Sequence, residues 1–241
     1  MKKLILLLLL LSTGPLFAHY IWLETPSRGT LDTPQLVKVR FGEYTHGVLE
    51  KVTGKSFQSV KEFSLWLVDP KGNKTPLRVS PFDDYYQASF TPKITGTYTL
   101  VLDNKHMEVL DFTKHNYTIF KPQYHAKATV TVGNGNSNTK ATNTTSIELV
   151  DHSTYSKNPQ SELSLQVLFK GKPMKNQKVS IFAKDLWSKE LTTDSHGKIT
   201  CKLPWDTQYT VETTYEEKTP GTYKGKEYKL IWHCATFCIK K

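Results

Sequence analysis

Three observations predict an all-β chain built as two tandem sandwiches. Apolar and polar residues alternate in short runs, as half-buried strands require. Turn residues separate those runs at intervals of roughly 8–12 positions, the spacing of sandwich proteins. One polar stretch rich in Gly and Asn divides the runs into two sets. No segment sustains the 3,4 repeat of a long amphipathic helix.

Residues 1–18 read as an export signal. Lys2 and Lys3 supply a positive head, Leu4 to Leu11 an apolar run, Gly14 and Pro15 its end, and Ala18 a small residue at the cut. An N-terminal sandwich is expected over 19–132. Its strands are Leu36 to Phe41, Phe63 to Val68, Gly96 to Leu102 and Lys127 to Val132, with a turn at Asp69-Pro70-Lys71-Gly72-Asn73. Residues 103–125 fit a helical turn or two. The stretch 133–146 is almost free of apolar side chains and reads as a linker or long exposed loop.

Over 147–241 strands resume at Ile147 to Val150, Leu163 to Phe169, Val179 to Ala183, Lys198 to Leu203, Tyr209 to Thr214 and Leu230 to Ile239. Turns fall at Lys170-Gly171-Lys172-Pro173 and Asp194-Ser195-His196-Gly197. Tyr98 and Tyr209 each enter a strand after a tight corner. Greek-key sandwiches pin such corners through the tyrosine hydroxyl, so both are expected to be structural and both halves immunoglobulin-like or transthyretin-like.

Composition narrows the function classes. Leu4 to Leu11 is too short to span a membrane, and no other run nears the ~20 apolar residues a span needs. With the signal removed, thirty basic residues face 22 acidic ones. Nearly all are Lys; only Arg28, Arg40 and Arg78 offer the bidentate guanidinium favoured for phosphate and base contacts, so nucleic acid is not an expected partner. Cys201, Cys234 and Cys238 allow one disulfide in an exported chain. Cys234 and Cys238 on one strand stand roughly 13 Å apart, so a bridge would join Cys201 to either.

Cleavage after Ala18 makes His19 the first residue. Its α-amine and imidazole then belong to one residue and chelate a metal ion together. The amine titrates near ~7.7, which leaves a usable fraction unprotonated at neutral pH. Nickel, copper and cobalt accept such a donor set. Of the remaining histidines, His46 follows the first long strand in a Gly-flanked loop and His125 precedes another strand. Those two are the expected partner ligands, with Glu24 as an acceptor orienting the His19 ring. His106 and His115 fall in the least regular segment, while His152 and His196 read as solvated. On a strand, His233 shares a face with Ile231, Ala235 and Phe237, whereas Cys234 and Cys238 face the other way with Trp232. His233 is therefore expected to be a half-buried structural residue. Neither Gly-x-Ser-x-Gly, His-Glu-x-x-His nor a phosphate-cradling glycine loop occurs.

The second half, through Val167 to Met174, Lys178 to Phe182 and Thr192 to Ile199, resembles carboxypeptidase-regulatory-like modules. The order strand, Gly-x-Pro, strand, Thr-Asp-x-x-Gly, strand is also similar to one exported bacterial family. That family is known as a domain of unknown function, and its members are described as the periplasmic component of nickel/cobalt transport. Its members begin the mature chain with His, two residues and Trp, as His19-Tyr20-Ile21-Trp22 does, and end on a His-x-Ala-Thr strand, as His233-Cys234-Ala235-Thr236 does. The histidine in Gly42-Glu43-Tyr44-Thr45-His46 comes late for that family, and the three cysteines are not its hallmark. The resemblance implies a soluble periplasmic protein that binds nickel or cobalt and serves a membrane transporter. A terminal histidine on a sandwich also resembles lytic polysaccharide monooxygenases, which would imply copper and oxidative chemistry. A metal-free glycan binder would instead use Trp187, Trp205 and Trp232 as a stacking face.

Overall fold

A computed structural model describes residues 19–134, 140–153, 162–183 and 187–240. The expected export signal and the middle of the expected linker lie outside the described residues. The protein is all-β. Its main strands are β1 (Tyr20–Glu24), β2 (Gln35–Glu43), β3 (Val48–Leu49), β4 (Ser64–Val68), β5 (Tyr86–Phe90), β6 (Gly96–Asn104) and β7 (Ile119–Val132) in the first half. In the second half they are β8 (Ile147–Asp151), β9 (Glu162–Phe169), β10 (Lys178–Ala183), β11 (Trp187–Thr192), β12 (Lys198–Lys202), β13 (Gln208–Glu217) and β14 (Leu230–Lys240).

The large central sheet runs β11-β10-β13-β14-β7-β6-β4. A smaller sheet, β1-β2-β5, covers the first half, and β8-β9-β12 covers the second. The halves meet where β7 pairs in parallel with β14, from Phe120 opposite Leu230 to Ala128 opposite Cys238. Strand alternation then divides β14 between two cores. Trp232, Cys234 and Cys238 enter the first with Phe120, Tyr124 and Ala126 of β7; Ala235, Phe237 and Ile239 enter the second. One sheet thus passes through both cores, an arrangement that two independent sandwiches joined by a linker do not have. Each fully enclosed phenylalanine, such as Phe57, Phe120 or Phe237, contributes about 1.5–3 kcal/mol of apolar burial.

Both corner tyrosines do what their positions predict. The Tyr98 hydroxyl accepts from the Lys93 and Ile94 N–H groups at 3.1 Å and donates to the Ile94 carbonyl at 3.0 Å. The Tyr209 hydroxyl accepts from Trp205 N at 2.8 Å and donates to its carbonyl at 3.1 Å.

Two elements carry no sequence signal. β1 does not alternate because Tyr20, Ile21, Trp22 and Leu23 are all buried, wedged between β2 and the central sheet, where Thr236 Oγ1 donates to the Ile21 carbonyl at 2.7 Å. The helix α1 (Lys55–Val60) is a turn and a half long, too short for a repeat, and buries only Phe57 and Val60. The cysteines are free: Cys201 lies in the second core and Cys234 and Cys238 in the first, so neither expected bridge forms.

The described end of the expected linker, residues 140–146, is exposed at 140, 141, 144 and 145 but anchored at two positions. Asn143 and Ser146 are buried, and Asn143 Oδ1 accepts from the backbone of Thr145 and Ser146. Glu148 on β8 accepts from the Thr142 and Asn143 backbone and from Lys127 Nζ at 2.7 Å. Two of its polar residues, Asn143 and Ser146, plug the interior through hydrogen bonds.

Candidate metal centre at the head of the first strand

β1 pairs antiparallel with β2, placing Tyr20 opposite Gly42. The next residue out, His19, therefore comes beside Glu43, and its Nδ1 lies 3.4 Å from Glu43 Oε1. Gly42 has φ +149°, and a Cβ there would stand 2.1 Å from the Val48 carbonyl oxygen. Only glycine lets β3 fold back onto β2 at this point. The chain turns through a single 3₁₀ turn (Tyr44–His46), and Glu50 N donates to the Phe41 carbonyl at 2.9 Å. That return carries the Glu50 carboxylate to His19 Nε2, 2.8 Å away. The His19 ring packs on Phe41, 5.5 Å between centroids, and Tyr124 OH donates to the His19 carbonyl at 3.1 Å. The His19 side chain is 36% exposed and those of Glu43 and Glu50 about a quarter.

The geometry sets the tautomer of a neutral ring. A carboxylate only accepts, so the proton sits on Nε2 facing Glu50. Nδ1 then turns its lone pair toward Glu43, and two electron-rich atoms face each other across 3.4 Å. A cation, whether proton or metal ion, relieves that opposition. In a chain cut before His19, Nδ1 is also the ring nitrogen that would close a six-membered chelate with the α-amine of the same residue. Metal–nitrogen and metal–oxygen bonds of ~2.0–2.2 Å span roughly 3.4 Å at a tetrahedral angle and roughly 3 Å at a right angle. The observed separation fits the first and needs a small closure for the second. Among the described residues no three His, Cys, Asp or Glu side chains converge as a metal site. What gathers at His19 is one imidazole and the carboxylates of Glu43 and Glu50, one on each ring nitrogen.

The expected ligands separate. His46 lies exposed on the turn just past Glu43, in the same loop, and is not drawn onto His19. His125 is removed from the site: its neighbour Tyr124 reaches His19, and strand alternation points His125 to the opposite face of β7. There its Nδ1 meets Asp103 Oδ1 at 2.7 Å and its Nε2 meets Ser146 Oγ at 2.6 Å. Glu24 is at the far end of β1, where it accepts from Trp22 Nε1 at 2.9 Å and Arg40 Nε at 2.7 Å, so it does not orient His19. The carboxylates that do approach His19 are Glu43 and Glu50; β1 showed no alternation from which their register could be read.

His233 is structural as expected, but wholly buried. Its Nδ1 meets Ser146 Oγ at 2.7 Å and its Nε2 meets Glu217 Oε2 at 3.1 Å. The three tryptophans do not form one face. Trp232 is in the first core, while Trp187 and Trp205 meet edge-on at 6.2 Å in the second half.

A family model described as "Domain of unknown function (DUF4198)" matches residues 16–217. No curated protein matches the chain. Among solved structures, a Salmonella alpha-2-macroglobulin reacted with methylamine aligns over 92% of this chain at 10% identity and a TM-score of 0.31. A DUF4785 family protein from Legionella pneumophila aligns over 83% at 9% identity and a TM-score of 0.30. The chain spans 15% of the length of the first and 52% of the second.

Proposed function

The chain belongs to the family described as "Domain of unknown function (DUF4198)", and from that premise we propose an exported protein that binds a transition-metal ion at a free His19 terminus. Nickel or cobalt is the cargo that the sequence resemblance implies, with delivery to a membrane transporter in the periplasm. The observation that carries this reading is the His19 ring held between two carboxylates, with Nε2 engaged by Glu50 and Nδ1 turned to Glu43. Glu50 orients the ring, as carboxylates commonly do for metal-bound histidines. Glu43 joins Nδ1 and the α-amine as a ligand. Two nitrogens and a carboxylate oxygen suit borderline divalent ions. The copper monooxygenase reading asks for a second imidazole on the ion, and His19 meets carboxylates instead.

Calorimetric titration of nickel and cobalt into the chain beginning at His19 tests the proposal. One glycine added before His19 converts the amine to an amide and should weaken binding at least about tenfold, 1.4 kcal/mol. Glu43→Gln should weaken it as well. Equal affinity with and without the added glycine would sink the proposal.

A further inference from the structure

A line of five side chains crosses the seam between the central sheet and β8. Asp103 of β6 meets His125 of β7 at 2.7 Å, His125 meets Ser146 at 2.6 Å, Ser146 meets His233 of β14 at 2.7 Å, and His233 meets Glu217 of β13 at 3.1 Å. Ser146 leads into β8, which lies on the sheet that carries the other four. The serine hydroxyl is enclosed, with an imidazole on each side and a carboxylate behind each imidazole. This is the connectivity of a nucleophilic triad, but Ser146 is 0% exposed and the adjoining cavity holds space of only about 10 Å³. No substrate carbonyl reaches it.

Counting protons gives the line another property. It has four contacts, and each needs one proton. Two neutral imidazoles and one hydroxyl supply three, and ionised Asp103 and Glu217 supply none. One contact is therefore left without a proton. The distances and partners locate it. The Asp103 contact is short, and the Asn143 amide nitrogen stands beside it, 3.4 Å from Asp103 Oδ1 and 3.2 Å from His125 Nδ1, donating to the carboxylate when Nδ1 carries the proton. The Glu217 contact is the longest of the four, and Glu217 already accepts from Lys170 Nζ at 2.5 Å. The protons therefore all point toward Asp103. His125 donates from Nδ1, Ser146 donates to His125 Nε2, and His233 donates from Nδ1 to Ser146. His233 Nε2 is left as a bare lone pair facing Glu217.

We propose that this line is an acid sensor with one vacant proton position, between His233 Nε2 and Glu217, and that filling it as the pH falls couples both histidines through Ser146. Charged and titratable groups around the line are Lys105 and Asp103 at one end, Lys127 and Glu148 beside His125, and Glu217, Lys170 and Tyr215 around His233. Burial pushes His233 down to about 4 and displaces His125 in the same direction, so the position is vacant at neutral pH and fills in acid. A filled line places a positive charge where β8 and residues 142–146 lie against the central sheet. The sensor is independent of the His19 site and stands whether or not that site takes a metal.

Long-range ¹⁵N–¹H NMR of the histidine rings in the full chain tests it. At pH 7 both rings should carry the proton on Nδ1; a proton on Nε2 of His233 would overturn the inference. From pH 7 to 4 the two rings should respond together, at a midpoint well below the ordinary histidine value of about 6.5. Separate midpoints, or a His233 midpoint near 6.5, would also overturn it. Glu217→Gln provides a neutral donor to the bare nitrogen. In that variant the His233 response should vanish down to pH 4; a response of wild-type size would rule the vacancy out.

Discussion

Acidification should destabilise this fold well above the pH at which its carboxylates protonate. The perturbation is a change of pH from 7 to 4.5, and the responsible group is His233. His233 is 1% exposed, and burial pushes it down to about 4 even with the Glu217 carboxylate beside it. An unfolded histidine titrates near 6.5. Between those values the unfolded chain binds the proton and the folded chain does not. The contribution of the neutral buried ring is therefore complete above pH 6.5 and is lost as the pH falls toward 4. A separation of roughly 2.5 pH units at 1.36 kcal/mol each gives about 3 kcal/mol. His125, lowered first by its burial, acts with the same sign. Burial raises Asp103 and Glu217, but hydrogen bonds from His125 and from Lys170 leave both below the ordinary carboxylate range. Their contributions persist until more acid pH. Urea unfolding followed by tryptophan fluorescence at constant ionic strength, at pH 7, 6, 5 and 4.5, reads the effect directly. His233→Gln should flatten most of the slope. A wild-type profile that is level or rises on acidification would refute the reasoning.

Two further predictions concern the interior. Lys127→Met leaves the buried Glu148 carboxylate without its cation and should cost about 3–5 kcal/mol in urea unfolding; a loss under about 1 kcal/mol would show that the Thr142 and Asn143 N–H groups suffice. Mass spectrometry of the native protein should find three thiols, alkylated only after denaturation; a bridged mass would contradict the placement of Cys201 in a different core from Cys234 and Cys238.

The all-β character and both corner tyrosines were legible because they depend on local patterns: alternation, turn residues, and a Tyr four positions past its acceptor. The face assignment of β14 followed from alternation alone. β1 was hidden because burial on both faces erases the alternating signature. The His19 surroundings were legible in part. A histidine at the expected cut marks the place, but Glu43 and Glu50 reach it through a strand register and a glycine-dependent reversal that separations of 24 and 31 residues in sequence do not reveal. His125 was misassigned because proximity to a strand start says nothing about which face the side chain takes. The plug at 142–146 misled for a related reason. Asn143 and Ser146 there are buried against Glu148, His125 and His233, while Thr144 and Thr145 stay exposed.

The parallel seam between β7 and β14 imposes an order on biosynthesis. Trp232, Cys234 and Cys238 wall the first core, yet they follow in sequence everything else that packs there. A nascent chain emerging from its amino end must hold the older half ajar until the final strand arrives. Deleting residues 230–240 would therefore strip a wall from both cores at once.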